Sequence, residues 1–149
     1  MLDTPMHPLV ESAVGLASAY PIAATHPVMA SLGLGEAELR SDVGVSDDDG
    51  LFWARGRIVV AARAAGLQPP AMSVYTDVTD RGALATSCAT GRRLGLLGRA
   101  AIHPRQFPVI VDAFRAAGRE AGRTRSCLRR SSARRPAAPA SGAAGRAVH

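Results

Sequence analysis

An α/β fold with a parallel sheet, followed by a separate basic tail, is what this sequence predicts. Three observations support that reading. Four short apolar runs each end in a residue with ligating or acid–base chemistry: Leu9-Val10 in Glu11, Val28 to Leu34 in Glu36 and Glu38, Met72 to Thr76 in Asp77, and Ala100 to Ile102 in His103. Runs of this kind mark strands buried on both faces, as in parallel sheets. Segments with helical spacing separate them, and strand–helix alternation implies parallel strands joined by right-handed crossovers. Finally, the composition changes from Arg123 onward, where Arg, Ala, Ser, Pro and Gly dominate.

The chain has 149 residues, enough for one domain with a sizeable core. Its formal charge of +6 belongs to the tail. Every basic residue is Arg, and seven arginines with no acidic residue lie in 123–149. Residues 1–122 carry eleven arginines against twelve acidic groups, so the folded part is near neutral. We therefore divide the chain into a domain at 1–122 and a disordered tail at 123–149, whose composition buries too little apolar surface to offset the ordering entropy. The tail reads as the product of a shifted reading frame or as the degenerate end of a truncated gene. Two cysteines, Cys88 and Cys127, give neither a disulfide framework nor a zinc site. A reduced, cytoplasmic setting is expected. No apolar run is long enough to span a bilayer, and the N-terminus does not resemble a secretory signal.

The elements follow in order. His7 to Glu11 is a strand, with Pro8 tolerated near its start. Ser12 caps a short helical turn at Val14–Ala17, and Pro21 opens a second short helix to Thr25. A second strand starts at Val28. Leu39 to Gly44 reads as a loop or single turn. Ser46 to Asp49 place a cap and negative charge before a helix over Asp49–Ala65. Its apolar face comprises Leu51, Phe52, Ala54, Ile58, Val59, Ala61, Ala62 and Ala65, with Arg55, Arg57 and Arg63 reaching water. Gly66 stops it. Pro69-Pro70 precede the strand Ala71–Thr76. Thr79-Asp80 cap a helix over 81–94 that Gly95 ends. A fourth strand lies within Leu96–Ile102. The last helix runs from Arg105 to Ala117, with Val109, Ile110, Ala113 and Phe114 inward and Pro108 in its first turn.

Function in such architectures sits beyond the carboxyl ends of the strands. Glu11, Glu36, Glu38, Asp77 and His103 converge there. Hard oxygen ligands suit Mg²⁺, which uses one or two carboxylates together with water and substrate. For Glu36 a solvated loop position is expected. Asp77 has a substrate-lining and a helix-capping reading, and His103 has a general-base reading and a turn-pinning one, the latter favoured. Phe52, Trp53 and Phe114 read as core or interface, and Cys88 as a small core residue.

At these residues the chain resembles the HpcH/HpaI aldolase and citrate lyase family, in particular its citrate lyase β-subunit-like members. The matching segments are Leu9-Val10-Glu11-Ser12-Ala13-Val14-Gly15-Leu16, Ala30-Ser31-Leu32-Gly33-Leu34-Gly35-Glu36-Ala37-Glu38, Asp42-Val43-Gly44, residues 54–66, Val74-Tyr75-Thr76-Asp77 and Arg99-Ala100-Ala101-Ile102-His103-Pro104-Arg105-Gln106. The resemblance covers about residues 7–118 and implies the last four β/α units of a (β/α)₈ TIM barrel, incomplete here. It further implies Mg²⁺-dependent carbon–carbon lyase chemistry on a CoA thioester or an oxo-acid. Glu11 matches the family's metal-binding glutamate and Glu38 its metal-binding aspartate. The backbone N–H groups at Glu36 and Ala37 match those that hold the substrate carboxylate, and Asp77 falls near the thioester site. The sequence departs from the family where Gly35-Glu36-Ala37-Glu38 replaces the usual Gly-Ala-Glu-Asp. The acidic cluster and the carboxylate-gripping arginine of the family's earlier strands have no counterpart. The sequence itself assigns no catalytic residue.

A non-catalytic fragment serving as an interaction module is the alternative. Exposed strand edges on such a piece call for a second copy or another chain. Nucleic-acid binding by the tail is not expected, since no fold motif or interleaved aromatics accompany its arginines.

Overall fold

The computed structural model describes residues 4–115, so the tail at 123–149, Cys127 and the expected extension of the last helix to Ala117 lie outside the described residues. The element order is β1 (Leu9–Val10), α1 (Ala13–Ala17), α2 (Ala19–Ala24), β2 (Gly33–Leu34), α3 (Glu36–Val43), α4 (Phe52–Ala64), β3 (Ala71–Met72), α5 (Arg81–Arg93), β4 (Gly98–Arg99) and α6 (Phe107–Arg115). Strands alternate with helices, and both ladders are parallel, as the sequence predicts. β1 pairs with β2 in the register Leu9 to Gly33, and β3 with β4 in the register Ala71 to Gly98.

Among the described residues β2 and β3 form no ladder with each other. Pro69 and Pro70 lack N–H groups and cannot donate toward β2. The two strands are instead joined by Gln68 N–H donating to Ala30 O (3.3 Å) and by the Ser73 hydroxyl donating to Leu34 O (2.6 Å). A side chain closes the gap that the main chain leaves. On the other side, pairing of the β1 and β2 segments extends back to a Met6–Met29 bridge.

The buried apolar residues form two clusters. The larger packs Val10 and Leu34 against Leu16, Leu39, Leu51 and Ile58 from α1, α3, α4 and the turn before α4. The smaller packs Leu84, Cys88 and Ile110 between α5 and α6, with Val109, Ala113 and Phe114 beside them. Caps expected at Ser12 and Asp80 are present: Ser12 Oγ accepts from Gly15 N and Asp80 Oδ1 from Ala83 N. Gly66 and Gly95 follow α4 and α5 with positive φ, as helix stops do.

Three expectations need correction. The segment from Leu39 to Gly44, expected as a loop or single turn, belongs to an eight-residue helix, α3, that starts at Glu36. It ends at Gly44, whose φ of 70° only glycine adopts without strain. Phe52 and Trp53 are 48% and 53% exposed, so of their core and interface readings the core one falls. Arg55 does not reach water; it is 4% exposed. Among the described residues no helix is long and apolar enough to cross a membrane.

Candidate active site

A cleft of about 760 Å³ opens beyond the carboxyl ends of the strands, a size typical of small-molecule sites. Glu11, Glu36, Ala37 and Glu38 all line it, with Ser73 and Thr76 from the β3 segment.

The two spaced glycines of β2 explain how the carboxylates meet. Residues two apart on a strand face the same side. Gly33 lies opposite Leu9, and a Cβ there would collide with the Leu9 side chain. Gly35 lies under the next same-face residue of the first strand, Glu11. A Cβ on Gly35 would collide with Glu11 Cγ and sit 2.9 Å from its Oε1. The absence of a side chain at Gly35 therefore lets Glu11 lie across the mouth of β2, against the residue that caps α3. Glu36 and Glu38 occupy the first turn of that helix, where its dipole favours negative charge.

The three glutamates differ in what holds them. Glu36 is not a solvated loop acid. Arg55 Nε donates to its Oε1 (2.8 Å) and Nη2 to its Oε2 (2.6 Å), a two-point pair with both side chains largely buried. Those hydrogen bonds outweigh the cost of burial and hold the Arg55 guanidinium firmly protonated. Arg55 also reaches Asp48 Oδ2 at 3.1 Å, and Arg40 meets Asp48 Oδ1 at 2.8 Å. Burial alone would raise the Asp48 pKa, but the hydrogen bond from Arg40 and the charge and hydrogen bond of Arg55 bring it below the usual carboxylate value. Glu11 and Glu38, by contrast, have no hydrogen-bond or ion-pair partner among the described residues.

The amide of Glu36 points to Ser73 Oγ at 3.4 Å, a long contact that a better acceptor would displace. Asp77 does not line the cleft. Its Oδ1 accepts from Thr79 N (2.8 Å), Thr79 Oγ1 (2.7 Å) and Asp80 N (3.1 Å), which lowers its pKa and fixes the turn before α5. His103 lies outside the cleft lining as well; its Nδ1 accepts from Arg105 N at 3.1 Å and caps the turn before α6. That is the turn-pinning role favoured from sequence.

Sequence reasoning missed Arg55 and Ser73. A signal for Arg55 was present: it stands four residues after Leu51 and three before Ile58, inside the apolar stripe of α4. Ser73 gave none, because its role depends on two prolines that unpair a neighbouring strand.

The residues fit a hard divalent cation. Two unpaired carboxylates on adjoining elements present oxygen ligands to an open cleft, matching what Mg²⁺ takes from protein. Among the described residues no group of three or more His, Cys, Asp or Glu side chains is arranged to hold a metal.

Residues 2–104 match the family described as HpcH/HpaI aldolase/citrate lyase. The chain is 32% identical over 126 residues to the human mitochondrial citramalyl-CoA lyase, an alignment covering 76% of this chain and 37% of that one. It thus spans well under half the length of such relatives. Among solved structures, RipC from Yersinia pestis superposes with a TM-score of 0.72 at 33% identity, covering 75% of this chain and 52% of the other. The citrate lyase beta subunit from M. tuberculosis, complexed with oxaloacetate and magnesium, superposes with a TM-score of 0.62 at 28% identity, covering 72% and 51%.

Proposed function

The chain belongs to the HpcH/HpaI aldolase/citrate lyase family, and we propose that its cleft is the cation and substrate end of a carbon–carbon lyase acting on an oxo-acid or a CoA thioester. One observation carries this reading. Glu11 and Glu38 are brought to one cleft with their carboxylates unpaired, while the neighbouring Glu36 is neutralised by Arg55. A relative of known structure is complexed with magnesium and oxaloacetate, which supports the same ion and ligand class here.

In this proposal Glu11 and Glu38 hold Mg²⁺. When bound, the ion supplies Lewis-acid polarisation of a substrate carbonyl. Glu36 and Ala37 contribute main-chain N–H groups at the start of α3, which orient a substrate carboxylate and favour its charge. The carboxylate takes the Glu36 amide from Ser73, whose hydroxyl keeps its bond to Leu34 O. Asp77 acts only indirectly, by fixing the turn before α5.

We propose further that the four strand–helix units represent the closing part of a barrel and need a cover. Among the described residues β1 and β4 each pair on one edge only. Leu9, 63% exposed, lies beside the cleft, and Leu97 and Ile102 are exposed along the β4 segment. A second copy of this chain, or another chain, would cover them. The same exposure favours the second reading, an interaction module without turnover.

The test is turnover of citramalyl-CoA or malyl-CoA by the purified full chain, with and without Mg²⁺. Mg²⁺-dependent cleavage abolished by Glu11→Gln supports the lyase reading. A folded assembly with no cleavage and no oxo-acid binding rejects it in favour of the interaction module.

A further inference from the structure

We infer that two copies of this chain meet through the outer face of α4, packed antiparallel about Gly56. This contact is separate from the strand edges and from the cleft, whose lining includes none of the residues it uses.

The inward face of α4 is accounted for: Ala54, Ile58, Ala61 and Ala62 are buried. A surface helix ordinarily turns polar residues to the other side. Here Phe52, Trp53 and Val60 are 48%, 53% and 67% exposed. Asp49, Phe52, Gly56, Val60 and Arg63 follow one another at spacings of three and four residues, so they form one stripe along the helix and the turn that leads into it. Trp53 stands beside the stripe.

Gly56 lies at its centre. Glycine inside a helix is unfavourable relative to alanine. Packing within the chain does not call for it, because a Cβ on Gly56 would meet no atom within 4 Å. A second helix coming close from outside does call for it, since the side chains at the contact set how near two helices approach.

The stripe is complementary to itself. With a two-fold axis at Gly56, a residue before the glycine meets the partner's residue the same number of positions after it. Phe52, four before, meets the partner's Val60. Asp49, seven before, meets the partner's Arg63. Asp49 and Arg63 are both exposed, and among the described residues neither has an ion-pair partner. Two Asp–Arg pairs then rim an apolar centre, the usual anatomy of an interface. A parallel arrangement would oppose like charges at both ends, which selects the antiparallel one. A contact built from one helix face belongs to the small class of interfaces, below roughly 1,200 Å² in total, so the dimer should dissociate on dilution.

The test is sedimentation equilibrium of the full chain over a range of concentrations, with folding checked by circular dichroism. Each variant is also measured with Leu9→Lys added, so that pairing of strand edges does not mask a loss. Asp49→Arg and Arg63→Asp should each weaken the dimer by on the order of tenfold. The double variant, which exchanges the two charges, should restore it. Gly56→Leu, whose side chain points into open space in the single chain, should abolish the dimer and leave the fold intact; Val60→Glu replaces it if it does not fold. Restoration in the double variant is the result that a merely local effect on α4 would not give. A wild-type chain that stays monomeric overturns the inference. So does a dimer indifferent to Gly56→Leu, or one that the charge exchange fails to restore.

Discussion

Gly35 and Glu11 act as one unit. The glycine is required because a carboxylate side chain occupies the space of its missing Cβ. Gly35→Ala should force Glu11 aside and cost about 1–3 kcal/mol, the usual range for overpacking, read as a lower urea midpoint. The same substitution should weaken Mg²⁺ binding even where the fold survives. At Asp48 the expected effect is on pH dependence. Its folded pKa is depressed, so its stabilising contribution is complete above its unfolded pKa and is lost as pH falls through the folded value. Urea midpoints measured from pH 5 downward should therefore fall less steeply for Asp48→Asn than for wild type. Identical slopes would show that the Arg40 and Arg55 contacts do not stabilise the charged form.

At the scale of elements, the weak seam lies between β2 and β3, where Ser73 substitutes for main-chain pairing. Ser73→Ala removes a part-buried hydrogen bond to Leu34 O and should destabilise the chain by about 0.5–1.5 kcal/mol in urea unfolding. Hydrogen exchange should then quicken on both sides of the seam and leave α5 and α6 unaffected.

The legibility of the elements followed from the kind of signal each carries. α5 and α6 were readable because their caps and apolar spacing lie close together in sequence. α3 was not, since it buries only Leu39 and so has no apolar period; its marks are a glycine at each end and acids in its first turn. The carboxylates of Glu11 and Glu38 were legible as strand-end acids, and the resemblance gave them a role. The state of Glu36 was not, because it depends on Arg55, nineteen residues away, pointing inward. An arginine in an apolar stripe is normally read as reaching out along its stem, and only the packed structure reveals the buried partner.

Among the described residues, two parallel ladders and two apolar clusters carry the cleft. Parallel sheets ordinarily have both faces covered. The exposed Leu9, Leu97 and Ile102, with the single-sided edges of β1 and β4, predict association. Sedimentation of the full chain should give a mass above the 15.4 kDa monomer that rises with concentration. A Lys placed at Leu9 should reduce it, because an edge charge opposes strand pairing. A monomer at all concentrations would contradict the expectation of a cover supplied by a second copy. The part of this chain that superposes covers 52% and 51% of the two solved relatives.

The central claim is that Glu11 and Glu38 form one cation site at the start of α3. Calorimetric titration of Mg²⁺ into the wild-type chain, Glu11→Gln and Glu38→Gln tests it most directly. A saturable one-site heat in the wild type that vanishes in both variants is the predicted result. Equal binding in all three proteins would contradict it.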